Sequence, residues 1–155
     1  MNLLSQYGTQ GADFVRQHGI VTCNTLYEKA RYAVFAIIHA DREHMVNIIN
    51  NLLDNAVKYS PENPHITIST FNQNGNIRIE VMDKGIGISK ENQASIFKKF
   101  HRLQIGDIHD VKGFGIGLFY VKSITEKMGG KVELISELNK GSRFMLTFPV
   151  LKTNH

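Results

Sequence analysis

The sequence predicts an α/β (α+β) two-layer sandwich. A mixed, mostly antiparallel sheet of about five strands should be covered on one face by about three helices. Three observations predict it. Residues 45–57 repeat apolar side chains at helical spacing. Two turn signatures, Asn74-Gly75 and Asn139-Lys140-Gly141, each separate a pair of alternating segments, as hairpins do. The elements come in the order strands, helix, hairpin, helix, loop, helix, hairpin, which stacks helices against one side of a sheet.

Residues 1–18 are polar, with helical character at 11–18, and residues 20–26 and 31–38 read as strands joined by a polar turn. Asp41 is the expected N-cap of the next helix. Met45, Ile48, Ile49, Leu52, Leu53, Ala56 and Val57 make its apolar face. It should stop at Ser60-Pro61, because a residue before proline is pushed out of the α region. Ile66 and Ile68 alternate with Thr67 and Ser69, and Asn74-Gly75 turns the chain into a return strand at 77–83. Residues 90–100 read as a short helix with a basic, aromatic end, in which Phe97 and Phe100 are core anchors at i, i+3. Residues 101–113 lack periodicity and read as a loop. A helix is expected over 115–128, closed by Gly129-Gly130, and 132–138 with 142–148 form the second hairpin.

At 155 residues the chain should be one domain, 1–155, with its core from about 12 to 150. A hydrophobic share of 42% against 21% charged, with 3 prolines, excludes a disordered chain. The net charge of +4 is mild. Part of it gathers in Lys98, Lys99, Arg102 and Lys112, as a solvated surface or a ligand-facing cluster. No aromatic-basic interleaving marks a nucleic-acid face, so no nucleic-acid partner is expected. Cys23 stands alone, which excludes an intrachain disulfide and a multi-cysteine metal site; a buried, inert thiol is expected. The longest apolar run, 32–38, is far short of a membrane span, and the N-terminus has no signal-peptide pattern.

Asn51, Asn55 and Lys58 fall at i, i+4 and i+7 and share one helix face. Glu, Lys and Arg are better formers of a solvated helix face than two amides are. Amide oxygens beside a lysine suit a cation and the phosphates it carries. Asp83 is in phase with Ile77, Ile79 and Val81, so its carboxylate points to the core side. A buried carboxylate needs donors. Either local backbone after the strand supplies them, or a ligand does, and the exocyclic amino group of adenine fits where the keto oxygen of guanine does not. Gly85 and Gly87 would let backbone approach a flat ligand. Gly113-Phe114-Gly115-Ile116-Gly117-Leu118 opens a helix, whose amides attract phosphate; a hinge or a packing device fits equally. Neither the Walker pattern nor the dinucleotide-binding unit matches. His44, His101 and His109 lack metal-ligand spacing, and the loop histidines read as solvent-exposed. No Ser-His-Asp or Cys-His arrangement can be assembled.

In order, these pieces resemble the catalytic, ATP-binding domain of bacterial sensor histidine kinases, part of the ATPase superfamily shared with DNA gyrase and Hsp90. Asn51-Leu-Leu-Asp-Asn55-Ala-Val-Lys58-Tyr59-Ser is similar to the Asn box, and Asp83-Lys-Gly85-Ile-Gly87 to the first glycine box. Ile96-Phe97-Lys-Lys-Phe100-His-Arg102 is similar to the Phe box, Gly113-Phe-Gly115-Ile-Gly117-Leu to the second glycine box, and Gly141-Ser-Arg-Phe144 to the last glycine motif. The resemblance covers about residues 12–150 and implies the Bergerat fold with ATP and Mg²⁺ as ligands. It implies that Asn55 coordinates Mg²⁺, that Asn51 supports the phosphate end, and that Lys58 and Tyr59 contact phosphate or ribose. Asp83 would bind the adenine amino group beside Gly85, Gly87 and Ile88. Lys112, Gly113, Phe114, Gly115, Gly117 and Leu118 would shape the lid and its hinge, and Arg102 would steady the γ-phosphate. His101 stands where the family often has Tyr.

Hydrolysing members of the superfamily usually carry a glutamate base at the position of Asn51, so a neutral amide here favours phosphoryl transfer over hydrolysis. The resemblance implies transfer to a histidine on a helical dimerisation and phosphoacceptor domain of the parent kinase, and onward to a response-regulator receiver domain. His18, in Arg16-Gln17-His18-Gly19-Ile20, lacks the acidic residue and proline that follow an acceptor histidine, and residues 1–18 are too few for the hairpin. The expectation is an excised, monomeric, cytoplasmic module of a parent that can be anchored in the inner membrane. It should bind ATP without phosphorylating itself. A clamp-type ATPase, a serine kinase acting on an anti-sigma antagonist and a scaffold with a decayed pocket are the alternatives. Asn51 weighs against the first, and the intact Asp83, Asn55 and glycines weigh against the last.

Overall fold

The computed structural model describes residues 20–26, 38, 40–60, 64–101 and 114–150, with backbone alone at 20–26. Five strands form one sheet: β1 (Ile20–Leu26), β2 (His65–Gln73), β3 (Asn76–Asp83), β4 (Lys131–Glu137) and β5 (Gly141–Pro149). Their order is β1-β2-β3-β5-β4. β1 runs parallel to β2, and every other neighbouring pair is antiparallel. The expected helix at 11–18, nearly all of the expected strand at 31–38 and the side chain of Cys23 lie outside the described residues.

Helix α1 (Arg42–Lys58) begins where Asp41 holds an extended backbone and accepts the His44 amide at 2.9 Å. It ends as Tyr59 leaves the helix and the Ser60 hydroxyl donates to the Ala56 carbonyl at 2.6 Å. Asn74 (φ 51°) and Gly75 (φ 72°) both take left-handed backbone, the requirement of a type I′ turn, and so lock the β2–β3 register. Helix α3 (Gly117–Lys127) closes at Gly129, φ 74°, with the Gly130 amide on the Thr125 carbonyl at 2.9 Å.

Two expected helices are shorter than the sequence suggested. Residues 90–100 give one helical turn, α2 (Lys90–Gln93), followed by a series of turns. Ser95 explains it: its hydroxyl bonds the Asn92 carbonyl, competing with the helical ladder, while the Asn92 side chain occupies Ser89 Oγ. Phe100 then takes φ 60° and is 71% exposed, so it is no core anchor. Phe97 is half-buried and meets the Phe144 ring edge-on at 6.5 Å. The last helix starts at Gly117 rather than 115, because Gly115 has φ 67°.

The apolar face of α1, Val121 of α3, and Ile66, Ile79, Val81, Phe144, Leu146 and Phe148 of the sheet form one core. Both long helices therefore lie on the same sheet face. The other face carries charge, with Arg78 linked to Glu80 and Glu133 at 3.7 and 3.9 Å.

Candidate functional site

β3 delivers Asp83 to the end of the sheet on the core side, 7% exposed. Its Oδ1 accepts the Gly85 amide at 2.8 Å and the Ser142 amide at 3.2 Å. Oδ2 receives no bond from a described residue. Burial pushes the Asp83 carboxyl above its ordinary range, and the two amide donors oppose that rise. A fixed acceptor oxygen in a half-apolar recess suits a ligand N–H.

The chain past Asp83 is pinned from both sides. The Ile86 amide donates to the Tyr59 carbonyl at 2.9 Å, and the Asn139 amide to the Ile86 carbonyl at 2.6 Å. At Gly85 a side-chain carbon would collide with the Tyr59 carbonyl; at Gly87, φ 65°, it would collide with the Glu137 carbonyl. These glycines serve close backbone approach.

Asp83 opens onto a cavity of about 280 Å³ between α1, the turn after β3 and the start of α3. Asn51, Asn55, Lys58 and Tyr59 line one side. Asn51 Nδ2 donates to the Asn47 carbonyl at 2.7 Å, which fixes its rotamer and directs Oδ1 towards Gly117. Neither the Asn55 carboxamide nor the Lys58 ammonium has a bond or ion pair to a described residue. The Asp83 end is walled by Gly87 and Ile88, the far side by Phe114, Gly115, Gly117 and Leu118. Phe114 is 84% exposed, at the mouth. The Phe100 amide donates to the Gly115 carbonyl at 2.9 Å, which brings the chain after α2 up to the start of α3.

Of the residues singled out in the sequence, Gly85 does not line the cavity; it makes room for the Tyr59–Ile86 bond. Arg102, Lys112 and Gly113 lie outside the described residues. The cavity also takes in residues of the quoted motifs to which the sequence gave no role in the site, among them Asp54, Ile96, Ile116, Ser142 and Phe144. Ser142 belongs to the last glycine motif, so its motif was visible while its bond to Asp83 was not. His101, expected in solvent, is half-buried on the cavity wall with Nε2 3.0 Å from Ser95 Oγ.

Residues 40–152 match the family described as histidine kinase-, DNA gyrase B-, and HSP90-like ATPase. The sensor protein RprX of Bacteroides fragilis is 43% identical over 141 residues, which make up 90% of this chain and 26% of that protein. The sensor-like histidine kinase SenX3 of Mycolicibacterium smegmatis is 38% identical over 109 residues, 70% of this chain and 28% of that one. The chain thus spans about a quarter of the length of these relatives. The mycobacterial sensor histidine kinase MprB shares the fold, with TM-score 0.75 at 19% identity over 97% of this chain and 95% of that one. Full-length ShkA, solved in complex with AMPPNP, has TM-score 0.75 at 25% identity, covering 99% of this chain and 30% of that chain. The family match runs through α1, the Asp83 turn and both hairpins, and the chain belongs to the histidine kinase-, DNA gyrase B- and HSP90-like ATPases.

Proposed function

We propose that this chain is the ATP–Mg²⁺-binding catalytic module of a sensor histidine kinase, and that the γ-phosphoryl group goes to a histidine on a separate helical domain. The observation that carries it is the placement of Asp83 and the Asn51/Asn55 face around one cavity, joined by the Tyr59–Ile86 bond. Asp83 accepts the adenine amino group. The donor set fits a hard cation: Asn55 offers a carboxamide oxygen with no other described partner, and Mg²⁺ is commonly held by few protein oxygens plus phosphate. When bound, the ion neutralises charge on the phosphates. Lys58 adds positive charge at the same end. Asn51 holds no base for activating water, so its neutral carboxamide favours an acceptor nitrogen over hydrolysis.

The partners under this reading are the phosphoacceptor domain of the parent kinase and a receiver domain that takes the phosphoryl group on. No described helix is long and apolar enough to cross a membrane. The module works on the cytoplasmic side, where ATP is, whether or not its parent is anchored in the inner membrane.

The test is ATP titration by calorimetry with and without Mg²⁺, followed by labelled-ATP transfer to a histidine-bearing acceptor domain supplied in trans. Binding tightened by Mg²⁺, acceptor-dependent labelling and little free phosphate are expected. Rapid ATP hydrolysis without an acceptor would point to a clamp-type ATPase instead, and labelling of a partner serine to a serine kinase.

A further inference from the structure

One side chain behind the cavity wall ties its two halves together. Ser136 Oγ, on β4, accepts the Ile88 amide at 2.8 Å and donates to the Gly141 carbonyl at 2.9 Å. Ser142 Oγ lies 3.0 Å away. A hydroxyl has one proton. With that proton on Gly141, Ser142 must be the donor to Ser136. Gln93, the last residue of α2, completes the arrangement: Nε2 donates to the Ile88 and Ser136 carbonyls, both at 2.9 Å. Two amide protons thus meet two acceptors. Ile88 is held at its N–H by Ser136 and at its carbonyl by Gln93. Gly141 and Ser142, held by the same hydroxyl, begin the strand whose Ser142 amide binds Asp83 Oδ1 at 3.2 Å.

We infer that Ser136 and Gln93 are positioning residues for base selection: without touching nucleotide, they fix the separation between the Ile88 wall and the Ser142–Asp83 pair. This rests on the adenine reading of Asp83 and deepens it. The two residues sit at the base end only. None of their bonds reaches α1, which carries the amides and lysine assigned to the metal and phosphates. Loosening them should therefore blur recognition of the base while leaving the contribution of Mg²⁺ intact. A carboxylate free to tilt distinguishes an amino group from a keto oxygen less well, and adenine differs from hypoxanthine in that group.

The experiment measures calorimetric affinities of the full chain for ADP and inosine diphosphate, with and without Mg²⁺, well below each variant's unfolding midpoint. The variants are Ser136→Ala, Ser136→Thr and Gln93→Leu. The wild type should prefer ADP. In Ser136→Ala and Gln93→Leu that preference should fall about three- to tenfold, the size of one net hydrogen bond, with the Mg²⁺ increment unchanged. Ser136→Thr keeps the hydroxyl and should restore most of the preference. A purely structural role would lower the unfolding midpoint and leave the ADP-to-inosine ratio alone. If Ser136→Ala does not fold, Gln93→Leu, placed on a one-turn surface helix, decides the matter. A wild-type preference that survives these substitutions overturns the inference. A wild type with no preference overturns the adenine reading, and the inference with it.

Discussion

The carbonyl of Tyr59 accepts the amide of Ile86 across 2.9 Å. Tyr59 caps the helix that carries Asn51, Asn55 and Lys58, and Ile86 belongs to the turn that follows Asp83. One backbone bond thus sets the distance between the acid end of the cavity and its amide end. Gly85 makes room for it, because a side-chain carbon there would strike the Tyr59 carbonyl group and approach Asp83 Oδ1 at 2.9 Å.

Gly85→Ala should therefore cost both stability and binding. The obstacle is backbone, which cannot swing aside, so the cost falls in the usual range for overpacking, about 1–3 kcal/mol. Urea unfolding measures it, and calorimetry should show weakened ATP binding in the folded variant. Gly129→Ala is the control. Gly129 is left-handed at φ 74° with open space around it, so alanine strains the backbone by about 1–2 kcal/mol and should leave ATP affinity unchanged.

Asp83→Asn should separate stability from binding. Burial raises the Asp83 carboxyl above its reference value of 3.8. Between that value and the raised one the native state holds more protons than the unfolded state, so stability falls as pH rises through this window and then levels off. Asparagine does not ionise and still offers Oδ1 to the Gly85 and Ser142 amides. At neutral pH the nucleotide-free variant should be at least as stable as the wild type, and the fall with pH attributable to Asp83 should vanish. Its ATP affinity should nonetheless drop by about 1–3 kcal/mol, since an amide donor would then face the adenine amino group. Urea midpoints from acid to neutral pH, with calorimetry at neutral pH, check both halves. Unchanged affinity would remove Asp83 from adenine recognition.

Gly117→Ala works through a neighbour. The added carbon would lie 2.6 Å from Asn51 Oδ1, the end of a side chain that can rotate. Stability should change little, because alanine favours the helix that starts here. The Asn51 carboxamide would have to leave its bond to the Asn47 carbonyl. Phosphoryl transfer should then fall more than ATP binding does. Single-turnover transfer to an acceptor domain, set beside an ADP titration, separates the two.

Much of this frame was legible because the signals were local. The apolar stripe and Asp41 cap gave α1, Asn74-Gly75 gave the hairpin, and the phase of Asp83 with Val81 gave its burial. What escaped depended on partners distant in sequence or on competition within a turn. The helix expected at 90–100 breaks after Gln93 because the Ser95 hydroxyl satisfies the Asn92 carbonyl locally, and the same break turns Phe100 into solvent. The bonds from Gln93 and Ile88 to Ser136 span 43 and 48 positions, and no periodicity announces such pairings. Glycine at 85 implies a close approach without saying to what, and only the fold shows the Tyr59 carbonyl there.

Asn55→Ala tests the metal end. Asn55 lies one turn beyond Asn51 on α1, lines the cavity and makes no side-chain bond to a described residue, so its removal should disturb the fold little. Alanine is also the better helix former. If the carboxamide oxygen holds Mg²⁺, the affinity gained on adding Mg²⁺ should shrink by at least about tenfold, the lower bound seen when even indirect metal supports are lost. Metal-free ATP binding, which the proposed function assigns to Asp83 and Lys58 at the two ends of the cavity, should change far less. ATP titrations in Mg²⁺ and in EDTA give the two affinities, and their ratio is the decisive quantity. Equal losses in both media would assign Asn55 to the nucleotide rather than the ion.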